Sequence, residues 1–207
     1  MKKVFIINGS MAYVQLFQEL GYAITKDINQ ADLAVFTGGE DVTPAYYGDK
    51  AHHYTYNNPR RDGEEKNLFD LLKKNGVPCV GICRGGQFLN VMSGGRMYQH
   101  VDKHATARGH SITDLETGDV IHVSSTHHQM MLPVGNYKLI ATASLGGFRE
   151  WFDGNVAKKD ISKEDIEVVY YPETNCLCFQ PHPEFNGAEY EQMKVYFKHL
   201  LNKYLNV

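Results

Sequence analysis

The stretch VGICRGGQFLN, residues Val80–Asn90, joins an apolar run to a glycine-studded segment and sets one cysteine, Cys83, at the junction. Phe88, Val91 and Met92 recur at helical spacing beyond it, and Gly94 with Gly95 provides a stop, so the segment reads as strand, elbow and helix. Gly81, Gly85 and Gly86 flank the elbow, where a sharp turn crowds the backbone and small residues relieve the crowding. In a parallel α/β sheet such an elbow lies on the edge formed by the carboxyl ends of the strands, where ligands bind. The first-turn amides and aligned dipole of the helix favour a thiolate over a thiol there. A buried structural cysteine beside an ordinary helix accounts for the same local pattern.

Outward from the elbow, KVFIIN, ADLAVFT and VPCVGI read as buried strands separated by helical patterns, the signature of a parallel sheet flanked by helices in three layers. Ser10 is placed to cap a helix carrying Tyr13, Leu16, Phe17 and Leu20 on one face. Asp62 and Glu65 suggest a capping box for a helix that ends before Gly76 and Pro78. The second half changes character. RMYQHV, VIHVSS, YKLIATA, IEVVYYP and CLCFQ are short strand candidates ahead of a last amphipathic helix, AEYEQMKVYFKHLLNKY, so an antiparallel portion is expected. The segment Tyr46–Arg60 lacks periodicity and reads as a long loop bordering a site.

At 207 residues, the length predicts one domain, 1–207. A net charge of −3 without a lysine or arginine block gives no footprint for nucleic acid or an anionic membrane, so a small or neutral partner is expected. No apolar run approaches the roughly 18 residues of a membrane span, and no signal segment is evident, so a cytoplasmic location is expected. The four cysteines are then expected as free thiols. Cys176 and Cys178 alternate on one strand face as small apolar residues, and Cys79 lies in a core run. The histidine pairs His52/His53, His100/His104 and His127/His128 lie in separate segments without a metal-binding helix motif. They are expected as loop histidines at a site edge, with no metal. Trp151 is expected as a core or rim plug.

A nucleophilic cysteine needs a base. In QPHPE, His182 and Glu184 point the same way along extended chain, so Glu184 can hold one ring nitrogen and leave the other facing a thiol. Pro181 and Pro183 fix the backbone around the imidazole. Together, GICRGGQ, QPHPE and the glycine turn FTGGEDV resemble the class I glutamine amidotransferase superfamily. TGGEDVTPAYYG, Arg61 with Asp62 and Glu65, and SSTHHQ bring the likeness closer to its γ-glutamyl hydrolase branch.

The resemblance implies a flavodoxin-like α/β fold and hydrolysis of a γ-glutamyl amide through a thioester, releasing glutamate and an amine. It makes Cys83 the nucleophile, His182 the general base and then acid, and Glu184 the orienting carboxylate. It takes the oxyanion hole from the backbone of Gly39 and Arg84. It places Gln87, Ser125, His127 and Gln129 near the glutamyl part of the substrate, although Ser124 stands where the family often has asparagine. No metal or organic cofactor is implied. Two alternatives remain: a glutaminase subunit passing ammonia to a separate synthase partner, and an inactive binding or regulatory module.

Overall fold

The computed structural model describes residues 1–207. The first half alternates as its apolar runs require: β1 (Lys3–Ile7), α1 (Met11–Glu19), β2 (Ala23–Thr25), β3 (Leu33–Phe36), α2 (Pro59–Lys74), β4 (Cys79–Ile82) and α3 (Arg84–Met92). Short strands follow: β5 (Arg96–Tyr98), β6 (His100–Val101), β7 (Ala105–Asp114), β8 (Val120–Thr126), β9 (Met130–Leu132), β10 (Lys138–Ala143), β11 (Phe148–Asp153), β12 (Val156–Ile161), β13 (Asp165–Tyr171) and β14 (Cys176–Phe179). Helix α4 (Glu191–Leu200) comes last and runs on into a short π-helical turn.

Nine strands form one sheet in the order β2-β1-β3-β4-β14-β13-β10-β7-β8. The pairs from β2 to β14 are parallel, and every pair from β14 to β8 is antiparallel. The late strand β14 therefore inserts beside β4, with Phe179 opposite Ile82. That register brings the chain after Phe179 to the strand edge from which Cys83 emerges.

Side chains alternate across the sheet. Leu33, Val35, Leu177 and Phe179 pack with α1 and α4 on one face, while Ala34, Phe36, Cys176 and Cys178 pack with α2 and α3 on the other. All four cysteines are free and buried. A Cβ on Gly81 would lie 2.2 Å from the Gly85 carbonyl oxygen, and one on Gly85 would lie 2.0 Å from that of Phe36. These glycines let α3 rest directly on β3 and β4.

The structure corrects several expectations. Ser10 stands at the N-cap of α1, but its side chain makes no capping bond. Helix α2 begins at Pro59, four residues ahead of the apolar pattern, and Asn58 caps it by accepting the Arg61 N–H at 3.2 Å. Asp62 and Glu65 form no capping box, because both carboxylates turn to the Arg84 guanidinium. Strand β7, ATARGHSITD, escapes a hydrophobic reading because most of its residues are polar or exposed; its partner β8 is the sheet's edge. Trp151, by contrast, sits as a rim plug would, half-buried in the small sheet of β12, β11 and β6 and edge-on to Tyr98 at 5.3 Å.

Candidate active site

Cys83 sits between β4 and α3 with φ 53° and ψ −115°, a backbone conformation that non-glycine residues rarely adopt. The packing of α3 through Gly81 and Gly85 over-determines this turn. Cys83 is 8% exposed and opens onto a cavity of about 150 Å³. The same turn leaves the Arg84 N–H in the first helical turn without an acceptor in the protein.

His182 arrives from the loop after β14. Its Nδ1 donates to Glu184 Oε1 at 2.6 Å. A Cβ on Gly38 would lie 3.1 Å from His182 Cε1 and 3.8 Å from Cys83 Cβ, so both side chains crowd the same glycine. Burial opposes charge on His182, but the neighbouring Cys83 and then Glu184 outweigh it and lift the imidazole to about 10. Ser124 Oγ accepts the His182 N–H at 2.8 Å, and Phe185 stacks on the ring at 4.7 Å between centroids. The structure thus brings Cys83, His182 and Glu184 together from two distant stretches of chain.

The glycine turn after β3 closes another side. Arg61 Nη2 donates to the carbonyls of Thr37 at 3.1 Å and Gly38 at 3.0 Å, while the same guanidinium pairs with Glu65 at 2.8 Å and Glu40 at 3.0 Å. Gly39 has φ 147°, and a Cβ there would fall 1.9 Å from Arg61 Nη1. Its N–H bonds to no group of the protein and lines the cavity. The Gly38 N–H donates to the Tyr13 hydroxyl at 3.0 Å. Burial, with the nearby Glu184 charge, pushes the Tyr13 phenol far up, so it stays protonated. Sequence reading placed Tyr13 on a core-facing stripe and missed this polar tip; the only signal was a tyrosine among apolar neighbours.

The remaining residues divide. Gln87 lines the cavity, with Nε2 held by the Gln129 carbonyl at 3.1 Å and Gln180 Oε1 at 3.2 Å. Gln129 lines it too and donates to Thr55 Oγ1 at 3.3 Å, so the long loop reaches the site. Ser125 does not line the cavity; its hydroxyl donates inward to the His104 carbonyl. His127 lines it, yet its ring faces the core, with Nδ1 donating to the Gln129 carbonyl at 2.8 Å and Nε2 3.8 Å from Glu167. Burial drives this imidazole down to about 3 and keeps it neutral. Thr126 and His128 line the cavity as well, and His128 Nε2 pairs with Asp41 at 3.1 Å.

The histidine pairs regroup in space. His52, His53 and His100 cluster with Tyr54 beside the loop, whereas His104 and His127 meet His110 inside the core.

A solved Thermotoga maritima glutamine amidotransferase aligns with 98% of this chain and 84% of its own at TM-score 0.62 and 16% identity, so the fold is the flavodoxin-like α/β fold of glutamine amidotransferases. A Mycobacterium tuberculosis protein, named only provisionally as a glutamine amidotransferase, is 33% identical over 170 residues, which is 72% of this chain and 49% of that protein. The carbamoyl phosphate synthase small chain of Thermotoga maritima is 34% identical over 97 residues, 47% of this chain and 23% of its own. The chain spans about half the length of the curated relatives it matches first. No helix is long and apolar enough to cross a membrane. A family model for Peptidase C26 matches residues 9–153, across the glycine turn and the cysteine elbow, and the chain belongs to the Peptidase C26 family.

Proposed function

We propose that residues 1–207 act as one domain that hydrolyses γ-glutamyl amides through a thioester on Cys83. One observation carries this reading: a cysteine strained at a strand-to-helix elbow beside an imidazole that a carboxylate holds at 2.6 Å. The cavity is polar and small, suited to a glutamyl head rather than a large apolar ligand.

The steps follow from these groups. Cys83 Sγ, as the thiolate paired with the His182 imidazolium, adds to the γ-carbonyl carbon, and the carbonyl electrons move to oxygen. The N–H groups of Gly39 and Arg84 receive that oxyanion. On collapse the C–N bond breaks, and His182 gives its proton to the leaving amine. His182, now neutral, takes a proton from water as the water oxygen attacks the thioester. The second collapse breaks the C–S bond, releases glutamate and restores the ion pair. Glu184 fixes the ring and stabilises its charge throughout. Gln87, Gln129 and the backbone at His127 border the glutamyl end, and the loop Tyr46–Arg60 borders the amine.

Similarity to a synthase small chain favours a second reading, in which the same chemistry acts on glutamine and ammonia passes to a partner synthase. Purified protein and Cys83→Ala are incubated with glutamine and with a panel of γ-glutamyl amines while glutamate and ammonia are followed. Glutamate from γ-glutamyl amines, absent in Cys83→Ala, supports the hydrolase. Turnover restricted to glutamine and raised by a synthase supports the subunit. No turnover of any substrate sinks both and leaves a binding or regulatory module.

A further inference from the structure

Behind the cavity wall the core holds a second cluster of polar groups. His104 lies just before β7, His127 just after β8, and Glu167 on β13; all three are buried, and one ligand atom from each lies within 4.8 Å of the others. We propose that His104, His127 and Glu167 form a three-ligand site for a divalent transition-metal ion, with zinc as the best match to the donor set.

The spacing fits. Ligands about 2.0–2.1 Å from a tetrahedral zinc stand roughly 3.3–3.5 Å from one another. Here His104 Nδ1 is 3.4 Å and His127 Nε2 3.8 Å from Glu167 Oε1. The outer contacts fit as well. Metal-bound histidines usually give their other N–H to a carboxylate or a backbone carbonyl. His127 Nδ1 donates to the Gln129 carbonyl at 2.8 Å, which leaves the Nε2 lone pair facing Glu167. His104 Nε2 lies 3.5 Å from Asp165 Oδ2, near enough to the carboxylate to turn towards it once Nδ1 is ligated, although the two are not hydrogen-bonded in this structure. His110 Nε2 lies 2.9 Å from Glu167 Oε1 and orients that carboxylate.

Unpartnered atoms point the same way. Both ring nitrogens of His104, His127 Nε2 and Glu167 Oε2 are buried with no hydrogen-bond partner, although buried polar groups are almost always satisfied. A proton shared by His104 with Asp165 and Glu167 is the rival occupant, but it leaves His127 Nε2 and Glu167 Oε2 unsatisfied. One divalent ion meets all three ligands and balances the two buried carboxylates. It would also tie β13 to the segment of His127 and Gln129, whose carbonyl holds Gln87.

The test uses wild-type protein from zinc-supplemented cells, purified without chelator. Elemental analysis is expected to give about one zinc per chain, and anomalous scattering at the zinc edge to place it between His104, His127 and Glu167. Protein unfolded with chelator and refolded with zinc should melt at a higher temperature than protein refolded without it. Glu167→Gln and His104→Gln should lose the ion. Metal far below one per chain in wild type with no zinc-dependent rise in Tm overturns the proposal. So does an anomalous peak elsewhere, or a folded Glu167→Gln that keeps its full metal content. Should a variant fail to fold, the wild-type measurements decide alone. None of these readouts depends on the thioester chemistry.

Discussion

His182 donates its Nδ1 hydrogen to Glu184 Oε1 across 2.6 Å, turning the far side of the ring towards Cys83. Despite burial, the neighbouring Cys83, with Glu184, raises this imidazole from its ordinary 6.5 to about 10. A raised pKa means that the charged ring stabilises the fold fully below pH 6.5, and this stability is lost as pH rises through about 10. We expect kcat/KM to fall over the same upper limb, because His182 can no longer protonate the leaving amine. In Cys83→Ala the largest favourable influences vanish, so His182 should titrate lower by NMR. An unchanged titration there would refute the pairing.

Gly39→Ala should leave the fold largely intact and cripple turnover. A methyl group 1.9 Å from Arg61 Nη1, at φ 147°, forces the turn to move and its N–H to swing off the oxyanion. Loss of one such donor costs roughly 10²–10³-fold in kcat. Steady-state kinetics with the best γ-glutamyl substrate check this, and wild-type kcat in the variant would remove Gly39 from the proposed hole.

Arg84→Met should act on stability. The Arg84 side chain is 2% exposed, paired with both Asp62 and Glu65, and its guanidinium lies 4.9 Å from the Phe88 ring centroid. Removing it leaves buried Asp62 without a cation and Glu65 with Arg61 alone, and breaking a buried pair in this way costs about 3–5 kcal/mol. Urea denaturation measures the loss. A midpoint within error of wild type would show that the buried pairs contribute nothing.

Gly85→Ala should also destabilise, through backbone rather than charge. The added methyl would lie 2.0 Å from the Phe36 carbonyl oxygen, and only a shift of α3 away from β3 relieves it. Overpacking of this kind costs about 1–3 kcal/mol. Because α3 carries Cys83 at its start, alkylation of Cys83 by iodoacetamide should slow as well. Normal stability with normal alkylation would contradict the close packing assigned to this glycine.

By itself the sequence determined the alternation of the first half, the strand–elbow–helix at Cys83 and the adjacency of His182 and Glu184. Each is a local matter: hydrophobic period, glycine at a crowded turn, and two residues on one side of extended chain. It could not place β7, whose polar pattern hides a strand of the main sheet. Tertiary structure alone decided that β14 lies beside β4 and so delivers His182 to Cys83. It alone turned Arg61 onto the glycine turn, sent Asp62 and Glu65 to Arg84, and gathered His104 and His127 around Glu167. The physical reason is that such contacts depend on strand order and register, set by the packing of the whole sheet, and residues far apart along the chain carry no period that records them.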